Sequence, residues 1–114
     1  MNSSTKADEK HRKKIIDALK AKSNGRCEYC GKYVGVEHLI GHEIFGGRYR
    51  RASIYVGAIA LVCSWCNGWD LEGHVNCSED FANRQLCEKK KIDYDALYYA
   101  VRNCNVKQER LKNK

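Results

Sequence analysis

Cys27-Glu28-Tyr29-Cys30 and Cys63-Ser64-Trp65-Cys66 each set two thiols at the spacing at which one tight turn offers both sulfurs to a single ion. Four such thiolates suit a structural zinc, and a closed tetrahedral set leaves no position for chemistry. Between the two pairs lie Glu37, His38, His42 and Glu43, whose imidazoles and carboxylates suit a second, harder metal. One ion is therefore expected to build the fold while another works. Arg48, Arg50 and Arg51 follow, with Tyr49 interleaved and no acidic residue between Glu43 and Asp70. Guanidinium groups fork onto phosphate oxygens, so this cluster is expected to hold a phosphodiester beside the working ion. This stretch is read as a basic loop, which on the bland view is only a solvated surface.

The bulk properties fit that chemistry. The chain has 114 residues, the size of one domain with a modest core that a structural metal helps to stabilise. Seven cysteines form an odd set, and no apolar signal segment opens the chain, so free thiols in a cytoplasmic setting are expected rather than a disulfide framework. No apolar run approaches the roughly 20 residues of a membrane span, so no membrane partner is expected. A formal charge of +7 favours nucleic acid as partner, although charge alone does not separate it from an acidic membrane.

The elements that must position these groups read as helix, metal core, then helices. Ile15, Ala18 and Leu19 recur at helical spacing within about residues 8–22, and Asn24-Gly25 is a helix stop. Ala58 to Val62 is a short apolar run leading into Cys63, which predicts a buried strand. Ser78 before Glu79 and Asp80 resembles an N-cap, which predicts helix over about 79–111. A last helix from about Asp93 carries Tyr94, Leu97, Tyr98 and Val101 on one face. There is no proline, repeat or low-complexity linker, so residues 1–114 are read as one α+β domain.

The first knuckle, His42-Glu43-Ile44-Phe45-Gly46-Gly47, the Arg/Ser stretch, and the strand into Cys63-x-x-Cys66-Asn67 together resemble the HNH endonucleases. The likeness is greatest to the small members encoded by bacteriophages, and it covers about residues 27–75. It implies a ββα-metal (His-Me finger) core pinned by a four-cysteine Zn²⁺, inside a bacterial host cell if phage-encoded. It also implies metal-dependent hydrolysis of DNA phosphodiesters with Mg²⁺ or another divalent ion. Carried over by position, His42 matches the ligand of the working ion and Glu43 stands where the base histidine usually does. Asn67 matches a metal ligand at the start of a helix, and His74 a further ligand or acid. The middle asparagine of the family has no counterpart near Gly57 to Ala60.

Glutamate at position 43 is the chief departure, because its reference pKa of about 4.3 makes it a weaker base than histidine. An alternative register makes Glu37-His38 the ligand–base pair, and a third makes Glu43 a ligand with the base elsewhere. Trp65 and Trp69 are expected to pack on the zinc site, and Tyr94, Tyr98 and Tyr99 to be helix core and surface. Cys77, Cys87 and Cys104 lack knuckle spacing and are read as buried thiols. Two rival classes remain: a non-catalytic zinc-ribbon-like nucleic-acid-binding module, and a thiol redox protein. The absence of a βαβ context around either Cys-x-x-Cys argues against the redox reading.

Overall fold

The computed structural model describes residues 5–68 and 81–112. The N-cap expected at Ser78, together with Trp69, His74 and Cys77, lies outside them. Five helices and one antiparallel pair of strands make up the described part: α1 Lys6–Ser23, β1 Ile40–Glu43, α2 Arg50–Val56, β2 Ile59–Val62, α3 Phe81–Lys89, α4 Tyr94–Arg102 and α5 Val106–Lys112. This is a small α+β domain, as expected.

Helix α1 opens with a capping box, in which the Thr5 side chain accepts from the Asp8 amide and the Asp8 carboxylate accepts from the Thr5 amide. It stops where Asn24 and Gly25 both turn left-handed (φ 55° and 73°), the conformation those two residues tolerate best. Its inward seam runs through Asp8, Arg12, Ile16 and Leu19. Ala18, expected on the inner face, is exposed.

The strands pair in the register Ile40↔Val62, Gly41↔Leu61, His42↔Ala60 and Glu43↔Ile59. All four residues of β2 are buried, because α1 packs on it and the chain covers it on both sides. Its outer edge is covered too: the Leu61 carbonyl accepts from the Glu28 amide, and the Leu61 amide donates to the Glu28 carboxylate. Glycine at position 41 lets α1 lie this close without displacing the Ile16 side chain, whose Cδ1 a Cβ there would meet at 2.5 Å.

Two features depart from the sequence reading. The Arg/Ser stretch is helical: a 3-10 turn over Gly47–Tyr49 runs into α2, which buries Ala52, Ser53 and Ile54. The region 79–111, expected to hold a helix after Ser78 and a last one from about Asp93, is three helices, the last of them α5. Asp93 caps α4 by accepting from the Ala96 amide, and the Asn105 side chain accepts from the Gln108 amide at the head of α5. Each Asx residue offers the chain a local hydrogen bond that competes with continuing the helix.

Helix α5 returns to the start of the chain. Arg110 forks onto the fully buried Asp8, Nε to Oδ1 at 2.9 Å and Nη2 to Oδ2 at 2.7 Å, and the Tyr55 hydroxyl donates to Oδ1 at 2.6 Å. The guanidinium holds the Asp8 carboxyl well below the usual carboxylate range. Burial, with the Asp8 charge beside it, pushes the Tyr55 hydroxyl up to about 12.

Candidate functional site

The four knuckle sulfurs meet. Ligand atoms of Cys27, Cys30, Cys63 and Cys66 all lie within 4.8 Å of one another, and the Cys30 and Cys63 sulfurs are 3.9 Å apart. A tetrahedron with Zn–S bonds of about 2.3 Å has edges of about 3.8 Å, so the donor set fits zinc in type, number and spacing. Cys27, Cys63 and Cys66 are buried, while Cys30 is exposed. The amides of Tyr29 and Cys30 both donate to the Cys27 sulfur at 3.4 Å. Burial raises the Cys27 thiol, but these amides and that of Cys63 bring it down to about 7. Burial pushes the Cys30 and Cys66 thiols up. A cation among the sulfurs is what lets all four ionise together.

The first knuckle is tied at three points to α3 and the residue that follows it. The Tyr29 hydroxyl donates to the Gln85 side chain at 2.9 Å, Lys89 donates to the Tyr29 carbonyl with its ammonium over the Tyr29 ring, and Lys90 pairs with Glu28. Helix α3 in turn carries Asn83, whose Oδ1 lies 2.7 Å from Nε2 of the buried His42. An amide oxygen only accepts, so the imidazole donates to it through Nε2. Such a partner fixes both the tautomer and the ring plane.

Glu43 follows His42 on β1, and strand pleating sends consecutive side chains to opposite faces. The partners reflect this: His42 meets α3, whereas Glu43 meets α1 and α2. Glu43 Oε1 accepts from Arg12 Nε at 2.5 Å and lies 3.5 Å from Arg50 Nη2. Arg12 also donates to the Gly41 carbonyl at 3.0 Å, and Arg50 reaches Glu9 at 3.4 Å. A carboxylate is therefore clasped by two guanidinium groups one residue beyond a buried, oriented imidazole.

The other expected residues distribute as follows. Arg48 is exposed and donates to the Tyr49 hydroxyl at 3.0 Å, lowering that hydroxyl below the ordinary tyrosine value. Arg51 is half-buried, and its Nε has no hydrogen-bond partner. Asn67 closes the second knuckle, its amide donating to the Cys63 carbonyl at 3.0 Å; the next described helix begins only at Phe81. Glu37 and His38 sit on an exposed 3-10 turn ahead of β1 and pair with each other at 3.6 Å. Trp65, expected to pack on the zinc site, is 60% exposed. Cys87 is buried and Cys104 half-buried, and burial raises both thiols.

Two members of this site, Asn83 and Arg12, were not singled out from the sequence, though each left a trace. Asn83 is a poor helix former between Ala82 and Leu86, which belong to the buried seam of α3. Arg12 stands one turn before Ile16 on the inward seam of α1. Among the described residues, the four thiols are the one cluster of three or more His, Cys, Asp or Glu side chains close enough to share an ion. No helix among those residues is long and apolar enough to cross a membrane.

No family model, no curated protein and no solved structure matches this chain.

Proposed function

We propose that the protein is a metal-dependent DNA endonuclease of the HNH type, built on a structural zinc and hydrolysing phosphodiester bonds. The observation that carries this reading is the buried His42, oriented by Asn83 and followed directly by a carboxylate that clasps two arginines. A fold gains little from burying an imidazole and gathering two guanidinium groups beside it. Cleavage of a polyanion gains both a positioned imidazole and a docking point for phosphate oxygens.

In this reading His42 is the ligand that faces the working ion, and Asn83 holds its ring through Nε2. Glu43 receives the phosphate-side role, keeping Arg12 and Arg50 in place so that their remaining N–H groups meet non-bridging oxygens. This replaces the base role implied by its position after His42, because the pleat turns Glu43 away from the imidazole and its Oε1 already accepts from Arg12. Arg48 and Arg50 lie on the DNA side. A bound divalent ion, Mg²⁺ or a borderline metal that accepts imidazole, would supply charge stabilisation at the leaving 3′ oxygen. Among the described residues, His42 belongs to no cluster of three or more His, Cys, Asp or Glu side chains. His74 is proposed to join it as a second ligand, and Asn67 as a third.

A second reading has its own support, since the thiol set is complete while the described residues hold no metal cluster that includes His42: a non-catalytic zinc-stabilised nucleic-acid-binding protein. Nicking of supercoiled plasmid separates the two. Zinc-loaded protein should nick only with an added divalent metal, and His42→Ala should abolish nicking while zinc content and melting cooperativity persist. DNA binding without nicking under Mg²⁺, Mn²⁺, Ni²⁺ or Co²⁺ would leave the binding module as the function.

A further inference from the structure

Helix α4 and the 3-10 turn before α2 join through a cluster of aromatic rings. Phe45 lies against Tyr94 and Tyr98, with centroids 5.2 and 5.3 Å apart, and the Tyr49 ring meets Tyr98 edge-on at 5.9 Å. Guanidinium groups rest on the outer faces of these rings: Arg48 4.9 Å from the Tyr49 centroid, Arg102 5.7 Å from Tyr98 and Arg84 4.2 Å from Tyr94. All three arginines are exposed, and Arg84 is partly balanced by Asp95 at 3.6 Å. A lysine would be held less well, because a planar cation stacked on a ring keeps its N–H edges outward in a fixed fork.

We infer that this ring-supported pair, Arg48 and Arg102, forms a DNA-backbone-binding face that extends the DNA side proposed for Arg48 onto α4, a helix outside the segment 27–75 that carries the proposed cleavage site. Three considerations support it. Ring quadrupoles hold like charges together on one patch, an arrangement that lowers its energy further only when a dense anion arrives. The patch is continuous with the candidate site on two sides, through Arg50 to Glu43 and through Arg84 to Asn83. The rings themselves are half-buried, so the face presents N–H forks rather than a stacking surface, which suits phosphate more than bases. The inference deepens the nuclease reading and rests on it for the choice of DNA as partner.

The test uses the full zinc-loaded chain and a fluorescein-labelled duplex of about 30 base pairs, without added divalent metal. Anisotropy is read from 50 to 400 mM salt. Each backbone contact contributes about 0.9 to the slope of log K against log salt, or about eight-fold in affinity at 0.1 M relative to 1 M. The double variant Arg48→Gln/Arg102→Gln should therefore reduce the slope by about two and weaken binding about 60-fold at 0.1 M. A charge-matched control, Lys13→Gln/Lys112→Gln, removes two exposed cations from other helices and should leave the slope within half a unit. Arg48→Lys/Arg102→Lys keeps the charge and should retain most of the slope, which guards against a folding defect in the glutamine pair. An unchanged slope in the glutamine pair, or an equal loss in the control, overturns the inference. A pattern that instead follows an acidic polypeptide probe, with the duplex ignored, overturns it in favour of a protein partner. Plasmid nicking by the wild type is scored separately: binding through this face without nicking sinks the nuclease reading alone, and nicking with an unchanged slope sinks this inference alone.

Discussion

Replacing Cys63 by serine removes one of four sulfurs that lie within 4.8 Å of each other, and the cost can be set against the whole stability of the domain. Binding at such a site is folding free energy, about 10 kcal/mol or more for a structural zinc. A domain of 114 residues has a net stability of about 6–17 kcal/mol at the usual 0.05–0.15 per residue. The two figures are of one size, so a chain that cannot close the site should lose its cooperative fold. The loss should spread beyond the knuckles, because Glu28 and Tyr29 of the first knuckle hold α3 and with it Asn83. Far-ultraviolet circular dichroism against temperature, with zinc counted by atomic absorption, reads both quantities on one sample. Wild-type protein should melt cooperatively with one zinc per chain, while Cys63→Ser and chelated wild type should show no cooperative transition. A cooperative, unshifted melt for Cys63→Ser with less than one zinc bound would refute the reasoning.

Glu43→Gln keeps the shape of the side chain but loses the charge that clasps Arg12 and Arg50, so DNA affinity should fall with the saturating rate retained. A general base at this position predicts instead a drop of about 10²–10⁴ at saturating DNA, and that result would restore the base assignment. His38→Ala should leave nicking and melting unchanged, since His38 is exposed and pairs with Glu37 alone; loss of nicking would move the working pair to Glu37-His38. Arg110→Met leaves the fully buried Asp8 carboxylate without its cation, a loss of about 3–5 kcal/mol at pH 7 and roughly 12–20 °C in melting temperature. The sign of its pH dependence follows from Asp8. Its folded-state value lies below the ordinary 3.9, so the pair's contribution is fully present above about pH 4 and fades as pH falls beneath it. Denaturation from pH 7 to 3 should show the gap between wild type and variant closing below pH 4; a gap constant across that range would contradict the assignment.

What could be read from the sequence was local. The stop at Asn24-Gly25, the buried run into Cys63, the helix from about Asp93 and the two knuckles each declare themselves within a few residues, and each stands where expected. Contacts made between distant elements were not legible. Nothing near Glu43 announces Arg12, thirty-one residues earlier, and nothing near His42 announces Asn83, forty-one residues later. The Arg/Ser stretch was misjudged as loop because its polar residues masked a short helix that needs burial of Ala52, Ser53 and Ile54 to form. Trp65, expected to pack on the zinc site, lines one hollow with Cys30 and Cys63 yet stays 60% exposed.

The fork between Asp8 and Arg110 joins residues 102 positions apart, which has a consequence for the order of events in folding. Closing a loop of that length carries an entropic cost that grows as the logarithm of its span, and nothing local rewards it in advance. The pair should therefore form after the hairpin and knuckles have drawn the chain together, as a latch rather than a nucleus. Interactions absent from the transition state leave the folding rate alone and act on the rate of escape. The latch is thus expected to lengthen the lifetime of the native state, and the first opening from that state should be the lifting of α5 away from the head of α1.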